Sequence, residues 1–227
     1  MGAAVILITF AWLAAVAALC VFALHRCRLV VQWRRTRGVR HDPPGRLDVL
    51  PFVTVQMPMF DEGDVAGSAI DAACALDWPR DRLQVQVVDD SRDEWSLAVV
   101  RDRVAHWSAR GVDIQWLHRN DRRGYKAGAL AEAMETARGQ FIAIFDADFA
   151  PAPDFLRQLI DHFTDPAVGM VQARWEHMNR DASMLTRCQA LFLDAHFAIE
   201  HAARHRSGRW MHFNGTAGVW RRAAIEV

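Results

Sequence analysis

Hydrophobic and polar positions divide the chain into an uncharged N-terminal stretch and a remainder in which short apolar runs recur. Residues 3–24, AAVILITFAWLAAVAALCVFAL, carry no charge and are about long enough to cross a bilayer as a helix. After residue 50, β-rich runs alternate with helical stretches. The predicted strands are 52–57, 83–88, 112–117, 141–145 and 168–173, and the predicted helices lie near 64–75, 94–109, 126–137 and 154–163. A longer helical stretch, 182–206, breaks this rhythm.

The alternation of strands and helices predicts an α/β fold, with a parallel sheet covered by helices on both faces. In such sheets, ligands bind beyond the carboxyl ends of the strands. Acidic residues follow three of the predicted strands, in PMFDEGD (58–64), in Asp89-Asp90-Ser91 and in Asp146-Ala147-Asp148. We therefore expect a polar site at this edge of the sheet.

The distribution of charge predicts how the N-terminal stretch is oriented in a membrane. Its first residues are uncharged, and the positive charges follow it, so the positive-inside rule puts the N-terminus outside and the rest of the chain in the cytoplasm. Residues 1–25 are predicted to form the anchor, and 26–50 a basic juxtamembrane segment and linker; a buried core helix is the alternative. The arginines concerned are Arg26, Arg28, Arg34, Arg35, Arg37 and Arg40.

Composition argues against a nucleic-acid-binding protein, a cysteine-ligated zinc protein and a disulfide-stabilised protein. Lysine plus arginine equals aspartate plus glutamate, at 27 each, so no bulk charge favours nucleic acid. The four cysteines show neither zinc-site spacing nor a disulfide framework.

Asp146 and Asp148 are the first candidate metal ligands. In an extended chain, residues i and i+2 point to the same side, so both carboxylates face one point. Paired carboxylate oxygens suit Mg²⁺ or Mn²⁺. The alternative is a strand end that turns into solvent, with both aspartates in the turn.

Two further groups are candidates for binding a nucleotide. Asp89 and Asp90 close a predicted buried strand, where a carboxylate can accept hydrogen bonds from a nucleobase and a ribose, although turn aspartates are common there. Lys126 lies with two arginines in NDRRGYKAGAL, a basic loop that enters a helix. Such a loop suits a pyrophosphate, but it fits neither the Walker A nor the G-x-G-x-x-G spacing. A solvated cationic loop is the alternative.

Histidines and tryptophans in the last quarter of the chain offer weaker hypotheses. His201 and His205 have i, i+4 spacing and His196 lies nearby, but there is no H-E-x-x-H motif, and arginines flank the group. We interpret these histidines as ordinary surface or packing residues. A sugar platform is one hypothesis for the tryptophans and core packing the other; they are Trp175, Trp210 and Trp220.

The order of the motifs resembles the family 2 glycosyltransferases of the processive, membrane-bound type, and in particular the cellulose-synthase-like glucan and mannan synthases. The matching pieces cover residues 51–225 and are PMFDE, VVDDS, GYKAGAL, FDADF, VQARW and FNGTAGVWRRAAI. The resemblance implies a GT-A fold over 51–227, which is a Rossmann-like mixed, mostly parallel sheet with helices on both faces. It also implies that the domain is C-terminally incomplete.

The resemblance also implies roles for individual residues. Asp89, with Asp90 beside it, matches the aspartate that contacts the nucleobase, and Lys126 would lie at the diphosphate. Asp146 and Asp148 match the D-x-D pair, with Asp148 as the direct ligand of Mg²⁺ or Mn²⁺. The other donor-binding residues would be Pro58, Asp61 and Glu62, and the acceptor-binding residues Phe213, Asn214, Gly215 and Thr216. The family usually has Asn-Glu where this chain has Asp61-Glu62.

The implied reaction is an inverting transfer of glucose or mannose, from UDP-glucose or GDP-mannose, to a growing β-glycan at the cytoplasmic face of the membrane. A single transfer to a membrane lipid and a non-catalytic nucleotide-sugar-binding module are the alternatives. The catalytic base of the family lies in a Thr-Glu-Asp motif, expected beyond Val227, so no catalytic base is predicted within this chain. Their sequence positions indicate no substitute base among four other acidic residues, which are Asp61, Asp64, Asp194 and Glu200.

Overall fold

The computed structural model describes residues 2–40 and 42–226, which form two compact units. A sheet unit comprises residues 42–174 and 213–226, and a helical unit comprises 2–40 and 175–212. The helices are α1 Gly2–Thr36, α2 Gly63–Cys74, α3 Glu94–Ser108, α4 Tyr125–Ala133, α5 Phe155–Leu159, α6 Met184–Ala195 and α7 Ala202–Arg206. Short 3₁₀ segments span Arg80–Arg82, Ile160–Thr164 and Arg222–Ala224, and a π-helical turn spans His196–His201.

The sheet unit contains six strands in the order β3-β2-β1-β4-β6-β5. The first four in this order are parallel, and β6 is antiparallel to both of its neighbours. This arrangement confirms the predicted mixed, mostly parallel sheet. The strands are β1 Val53–Met59, β2 Leu83–Asp89, β3 Ile114–His118, β4 Phe141–Ile144, β5 Met170–Gln172 and β6 Gly218–Arg221.

The central strands β1 and β2 are buried along their whole length, and this burial includes polar side chains. Thr54 donates a hydrogen bond to Gln84 Oε1 over 2.8 Å, and Gln56 Nε2 donates to Gln86 Oε1 over 3.1 Å. Buried polar groups are costly unless they are paired, so these side chains are constrained to face one another across the two strands.

The same buried glutamines determine where α4 ends. Gln84 Oε1 accepts the Arg138 amide at 2.9 Å, and Gln86 Nε2 donates to Thr136 Oγ1 at 2.9 Å. These bonds hold residues 136–138 in a non-helical conformation. The helix predicted to reach residue 137 therefore stops at Ala133.

In the helical unit, α1 carries both the apolar stretch and the basic residues that follow it. The helix has 35 residues, is long and apolar enough to cross a membrane, and exposes most of its apolar side chains, although Leu29 is buried. The helix continues through Arg34 and Arg35 and ends at Thr36. The predicted end of the anchor at residue 25 therefore lies within the helix, where the charged residues begin.

The second part of the helical unit is not one continuous α-helix. Ser183 begins α6 with a capping box, in which its hydroxyl accepts the Thr186 amide and the Thr186 hydroxyl accepts the Ser183 amide. A π-helical turn separates α6 from α7 within the stretch predicted as 182–206.

We predict that Gln84→Ala destabilises the sheet unit by about 3 kcal/mol. The change leaves the buried Thr54 hydroxyl and Arg138 amide without their acceptor, and each unsatisfied buried group costs about 1–3 kcal/mol. Denaturant unfolding of the detergent-solubilised protein measures the change. Gln158→Ala, at an exposed position, is the control and should stay within about 0.5 kcal/mol of wild type. Equal unfolding midpoints for the two variants would contradict a structural role for the buried glutamines.

Candidate functional site

The strand order reverses between β1 and β4, which places the preferred ligand position of this fold at their carboxyl ends. Asp61 and Glu62 follow β1, Asp89 ends β2 with Asp90 next to it, and Asp146 and Asp148 follow β4. These strands are adjacent and parallel. The structure therefore brings the three predicted acidic strand ends to one edge of the sheet.

Three carboxylates at this edge act on one another. Burial raises the pKa of Glu62, and the negative charges of Asp148 and Asp146 raise it further, against a hydrogen bond from the Phe60 amide that lowers it. The Asp148 side chain is exposed and that of Asp146 is 35% exposed, so solvent reaches both members of the D-x-D pair. This concentration of negative charge favours a cation.

Lys126, in the first turn of α4, supplies positive charge to this group. Its ammonium forms an ion pair with Asp146 and donates to the Gly215 carbonyl at 2.9 Å. The Asp146 amide in turn donates to the Thr216 hydroxyl at 2.9 Å. Two residues predicted to bind the acceptor are thus bonded directly to two residues predicted to bind the donor.

Asp89 is fully buried and already has partners. Its two oxygens accept the Ser91 amide and the Trp116 indole N–H, each at 2.9 Å. Each carboxylate oxygen can accept two hydrogen bonds, so both retain acceptor capacity. Contact between Asp89 and a nucleobase stays a prediction.

Asp90 is buried against Arg119, a residue that the sequence analysis did not identify. The Nε and Nη2 of Arg119 donate to the two Asp90 oxygens, each at 2.7 Å, and both side chains are about 5% exposed. Hydrogen bonding to Asp90 raises the pKa of Arg119 against the opposite effect of burial. The signal in the sequence was the position of Arg119 directly after β3, at the same sheet edge.

Arg119 also fixes the loop that leads to Lys126. Its guanidinium donates to the carbonyls of Arg123 at 3.4 Å and Tyr125 at 3.3 Å. The neighbouring Arg122 lies over the Phe60 ring, 3.2 Å from its centroid. In the first turn of α4, a Cβ on Gly128 would lie 2.0 Å from the Arg123 carbonyl oxygen of this loop, so only glycine fits there. The GYKAG motif is therefore a packing requirement as well as a source of charge.

Strained backbone is concentrated in the loops of this edge. Among residues 2–40 and 42–226, the non-glycine residues with positive φ are Asp61 at 52°, Tyr125 at 50° and Ala217 at 54°. They precede α2, begin α4 and precede β6, respectively. Such conformations cost free energy, and they cluster at functional sites in proteins generally.

Asp61 joins two loops of the edge. Its carboxylate accepts the amides of Arg92 at 2.7 Å and Asp93 at 3.2 Å, and its own amide donates to the Ser91 hydroxyl at 2.9 Å. Asp, like Asn, tolerates the left-handed conformation and accepts backbone amides, so it can replace the usual asparagine in this role. Its contribution to donor binding stays a prediction.

Pro58, the remaining predicted donor residue, lies within β1. It is buried and paired with Val88, but the pairing of β1 with β4 ends at Gln56. Its missing N–H therefore falls where the sheet beside β4 no longer needs a donor.

Phe213 and Asn214 are held within the sheet unit. The Phe213 ring packs edge-on against Trp220, with centroids 5.4 Å apart, and the Asn214 amide donates to Gln172 Oε1 at 3.0 Å. Of the two hypotheses for the tryptophans, Trp220 therefore fits core packing. In the helical unit, Trp175 packs against Phe197, and Trp210 is 95% exposed.

Comparison with known proteins gives relatives over most of this chain. The family described as Glycosyltransferase like family 2 matches residues 51–226. Probable glucomannan 4-beta-mannosyltransferase 7 of Oryza sativa subsp. japonica is 46% identical over 179 residues, which cover 77% of this chain and 31% of that protein. Glucomannan 4-beta-mannosyltransferase 2 of Arabidopsis thaliana is 45% identical over 179 residues, covering 77% and 34%. The chain thus spans about one third of the length of these relatives.

A solved structure resembles most of this chain. The mannosyltransferase PcManGT from Pyrobaculum calidifontis, in complex with GDP-Man and Mn²⁺, superposes with a TM-score of 0.69 at 26% identity. The alignment covers 92% of this chain and 56% of that chain.

We predict that Arg119→Met destabilises the sheet unit by about 3–5 kcal/mol, because it leaves the buried Asp90 carboxylate without its charged partner. Adding Asp90→Asn should restore part of the loss, since the unpaired charge is then gone. Denaturant unfolding of the single and double variants measures the coupling. Arg92→Met, at an exposed position, is the matched control. Additive effects of the two substitutions would show that the pair does not fix this loop.

Proposed function

Since this chain belongs to glycosyltransferase family 2, we propose that it forms the donor-binding part of a β-mannosyltransferase that uses GDP-mannose. One observation carries the proposal: at the β1/β4 switch point, Asp146 and Asp148 lie with Lys126 at a single sheet edge. Carboxylates for a metal and an ammonium for phosphates are the groups that a nucleotide-diphospho-sugar needs.

The choice of GDP-mannose over UDP-glucose rests on the relatives. The two plant proteins are named as mannosyltransferases acting in glucomannan synthesis, and the archaeal enzyme was solved with GDP-Man. The plant names also favour a polysaccharide acceptor over a lipid. The sequence motifs alone left both donors and both acceptors open.

Asp148 and Asp146 would hold Mg²⁺ or Mn²⁺. The fit rests on charge: three carboxylates, those of Glu62, Asp146 and Asp148, face the one ammonium of Lys126, so negative charge remains to be balanced. Hard divalent cations prefer oxygen ligands of this kind. When bound, the ion would offset the negative charge that develops on the leaving diphosphate.

The chain's own groups would orient the donor. The Lys126 ammonium and the N-terminus of α4 both present positive charge, which attracts phosphate oxygens. The hydrogen bond from the Asp146 amide to Thr216 fixes the start of the D-x-D segment, and Arg119 fixes the loop before Lys126. Such preorganisation lets the site stabilise a developing charge without rearranging.

On the acceptor side, residues 213–216 would contact the sugar chain that receives the mannose, and the reaction would be inverting. A general base must take the proton of the acceptor hydroxyl. No residue of the described chain is assigned to that role, and we assign it to a part of the relatives' length that this chain does not span.

We further propose that α1 anchors the protein in the membrane with its N-terminus outside and residues from 26 onward in the cytoplasm. Support comes from the length and apolar surface of α1 and from the arginines after the apolar stretch.

We predict that Asp148→Asn abolishes Mn²⁺-dependent binding of GDP-mannose by the full-length enzyme and lowers turnover at least about 10²-fold. A metal ion contributes several kcal/mol to transition-state stabilisation, and 1.36 kcal/mol corresponds to tenfold in rate. Calorimetry with and without Mn²⁺, and radiolabelled mannose transfer, provide the measurements.

The matched control is Asp154→Asn, at an exposed aspartate six positions further along, which should leave both properties unchanged. UDP-glucose should compete poorly with GDP-mannose. Near-normal turnover and unchanged metal dependence in Asp148→Asn would remove the D-x-D assignment, and preferential binding of UDP-glucose would remove the donor assignment.

The membrane orientation is tested separately with fusions. A reporter placed after Arg40 should lie in the cytoplasm, and one placed before Met1 should lie outside, because the arginines hold their end of α1 on the cytoplasmic side. Replacing the arginines between 26 and 40 with asparagine should weaken this preference. An Arg40 fusion found outside the cytoplasm would be incompatible with a cytoplasmic donor site.

A further inference from the structure

The π-helical turn of the helical unit changes which histidines face one another. In an α-helix, residues four apart share a face, which pairs His201 with His205 in the sequence. In a π-helix the hydrogen bonds run from i to i+5, so residues five apart come together. The turn spans His196–His201, and the rings of these two histidines have centroids 4.4 Å apart.

A third histidine joins this pair from the segment that follows α7. The His212 ring lies 5.0 Å from that of His201 and 5.7 Å from that of His196, measured between centroids. One ring nitrogen from each of the three histidines lies within 4.8 Å of the others. Ligands of a tetrahedral zinc ion at the usual Zn–N distances are about 3.4 Å apart, so small rotations would bring the three nitrogens to one ion.

His201 has a buried ring nitrogen whose hydrogen-bonding capacity is not satisfied within the described part of the chain. The residue is 5% exposed, and its Nε2 is buried without a hydrogen-bond partner among the described residues. The pKa of His201 is lowered to about 4, chiefly by burial, with the neighbouring His196 and His212 contributing to the same shift. The imidazole is thus neutral at pH 7, the form that binds a metal.

A carboxylate stands behind the cluster, as is common for metal-binding histidines. Glu200 Oε2 lies 3.8 Å from His196 Nδ1. Glu200 is itself held by Arg26 at 2.6 Å and by Arg204 at 3.1 Å. Burial alone would raise the pKa of Glu200, but these two arginines lower it, so the carboxylate stays charged beside His196.

We propose that His196, His201 and His212 form a binding site for a divalent transition metal of the zinc class. The three imidazoles supply nitrogen ligands, which suit Zn²⁺, whereas the carboxylates of the sheet unit supply oxygen ligands, which suit Mg²⁺ and Mn²⁺. This is therefore a second metal site, separate from the ion of the proposed transfer reaction. Exposed His212 gives an ion access from solvent, and a bound ion fastens residues 207–212 to the π-helical turn.

The competing explanation is that the three rings pack as an aromatic cluster. Phe197 does contact His201 edge-on, with centroids 5.4 Å apart, and such contacts account for the burial. They do not supply an acceptor or donor for the buried Nε2 of His201. The two explanations differ in whether the three histidines bind a metal ion, because only the metal site predicts uptake.

The experiment uses the full protein, purified in detergent without a histidine tag, stripped with a chelator and titrated with Zn²⁺ or Co²⁺ in the absence of nucleotide. We expect about one tightly bound equivalent, Co²⁺ absorption bands of a nitrogen-ligated site, and a higher unfolding temperature with Zn²⁺. Loss of an outer partner of a metal ligand costs 10–100-fold in affinity, so His201→Gln should cost more than about 10²-fold.

Two further variants make the result decisive. His212→Gln, at an exposed position, keeps the test valid if His201→Gln fails to fold, and it should lose the metal similarly. His205→Gln, exposed and four residues from His201, is the matched control and should keep it. Asp148→Asn should also keep it. Absence of uptake in the wild type, equal uptake in every histidine variant, or loss only in Asp148→Asn would each overturn the proposal.

Discussion

Repulsion between carboxylates at one edge of the sheet is the constraint on which the sheet unit depends. Glu62, Asp146 and Asp148 come from the ends of two adjacent strands, and their mutual repulsion raises the pKa of Glu62 beyond the effect of burial. Lys126 opposes this repulsion, and its ammonium must be held in place to do so. The position of Lys126 depends on the first turn of α4. The position of that turn depends on the loop that enters the helix.

That loop is held by the buried ion pair of Arg119 and Asp90, whose formation carries a large desolvation cost. Burying Arg119 and Asp90 removes two charges from water, and the two short hydrogen bonds between them offset this cost without a large surplus. The pair therefore does more for position than for stability, since the same guanidinium also binds the Tyr125 carbonyl next to Lys126. The positive φ angles of Asp61, Tyr125 and Ala217 indicate the same exchange, in which the unit gives up some stability so that these loops keep one conformation.

The sequence was informative where structure depends on local pattern. The five predicted strands all exist, with ends within two residues of the prediction, because each is a short β-rich run that can be recognised from its own residues. The i, i+2 spacing made Asp146 and Asp148 candidate metal ligands, with a turn into solvent as the alternative, and the family resemblance rather than the spacing favoured the metal. Strand β6 was missed because four residues, GVWR, are too few to show a period, and its place between β4 and β5 is set by long-range pairing.

Residues whose role depends on distant partners were not visible in the same way. Arg119 is one basic residue among several in its loop, and only the fold reveals that it faces Asp90 from the neighbouring strand end. The histidines show the same limit more sharply. Spacing along an ideal α-helix favoured His201 with His205, but the π-helical turn rotates His196 towards His201 and leaves His205 exposed. A π-helical turn is unfavourable in most sequences, and such turns occur frequently at functional sites. Here the turn brings His196 to His201, and His212 joins them from the segment after α7, so the proposed metal site would account for both the local irregularity and the unsatisfied nitrogen.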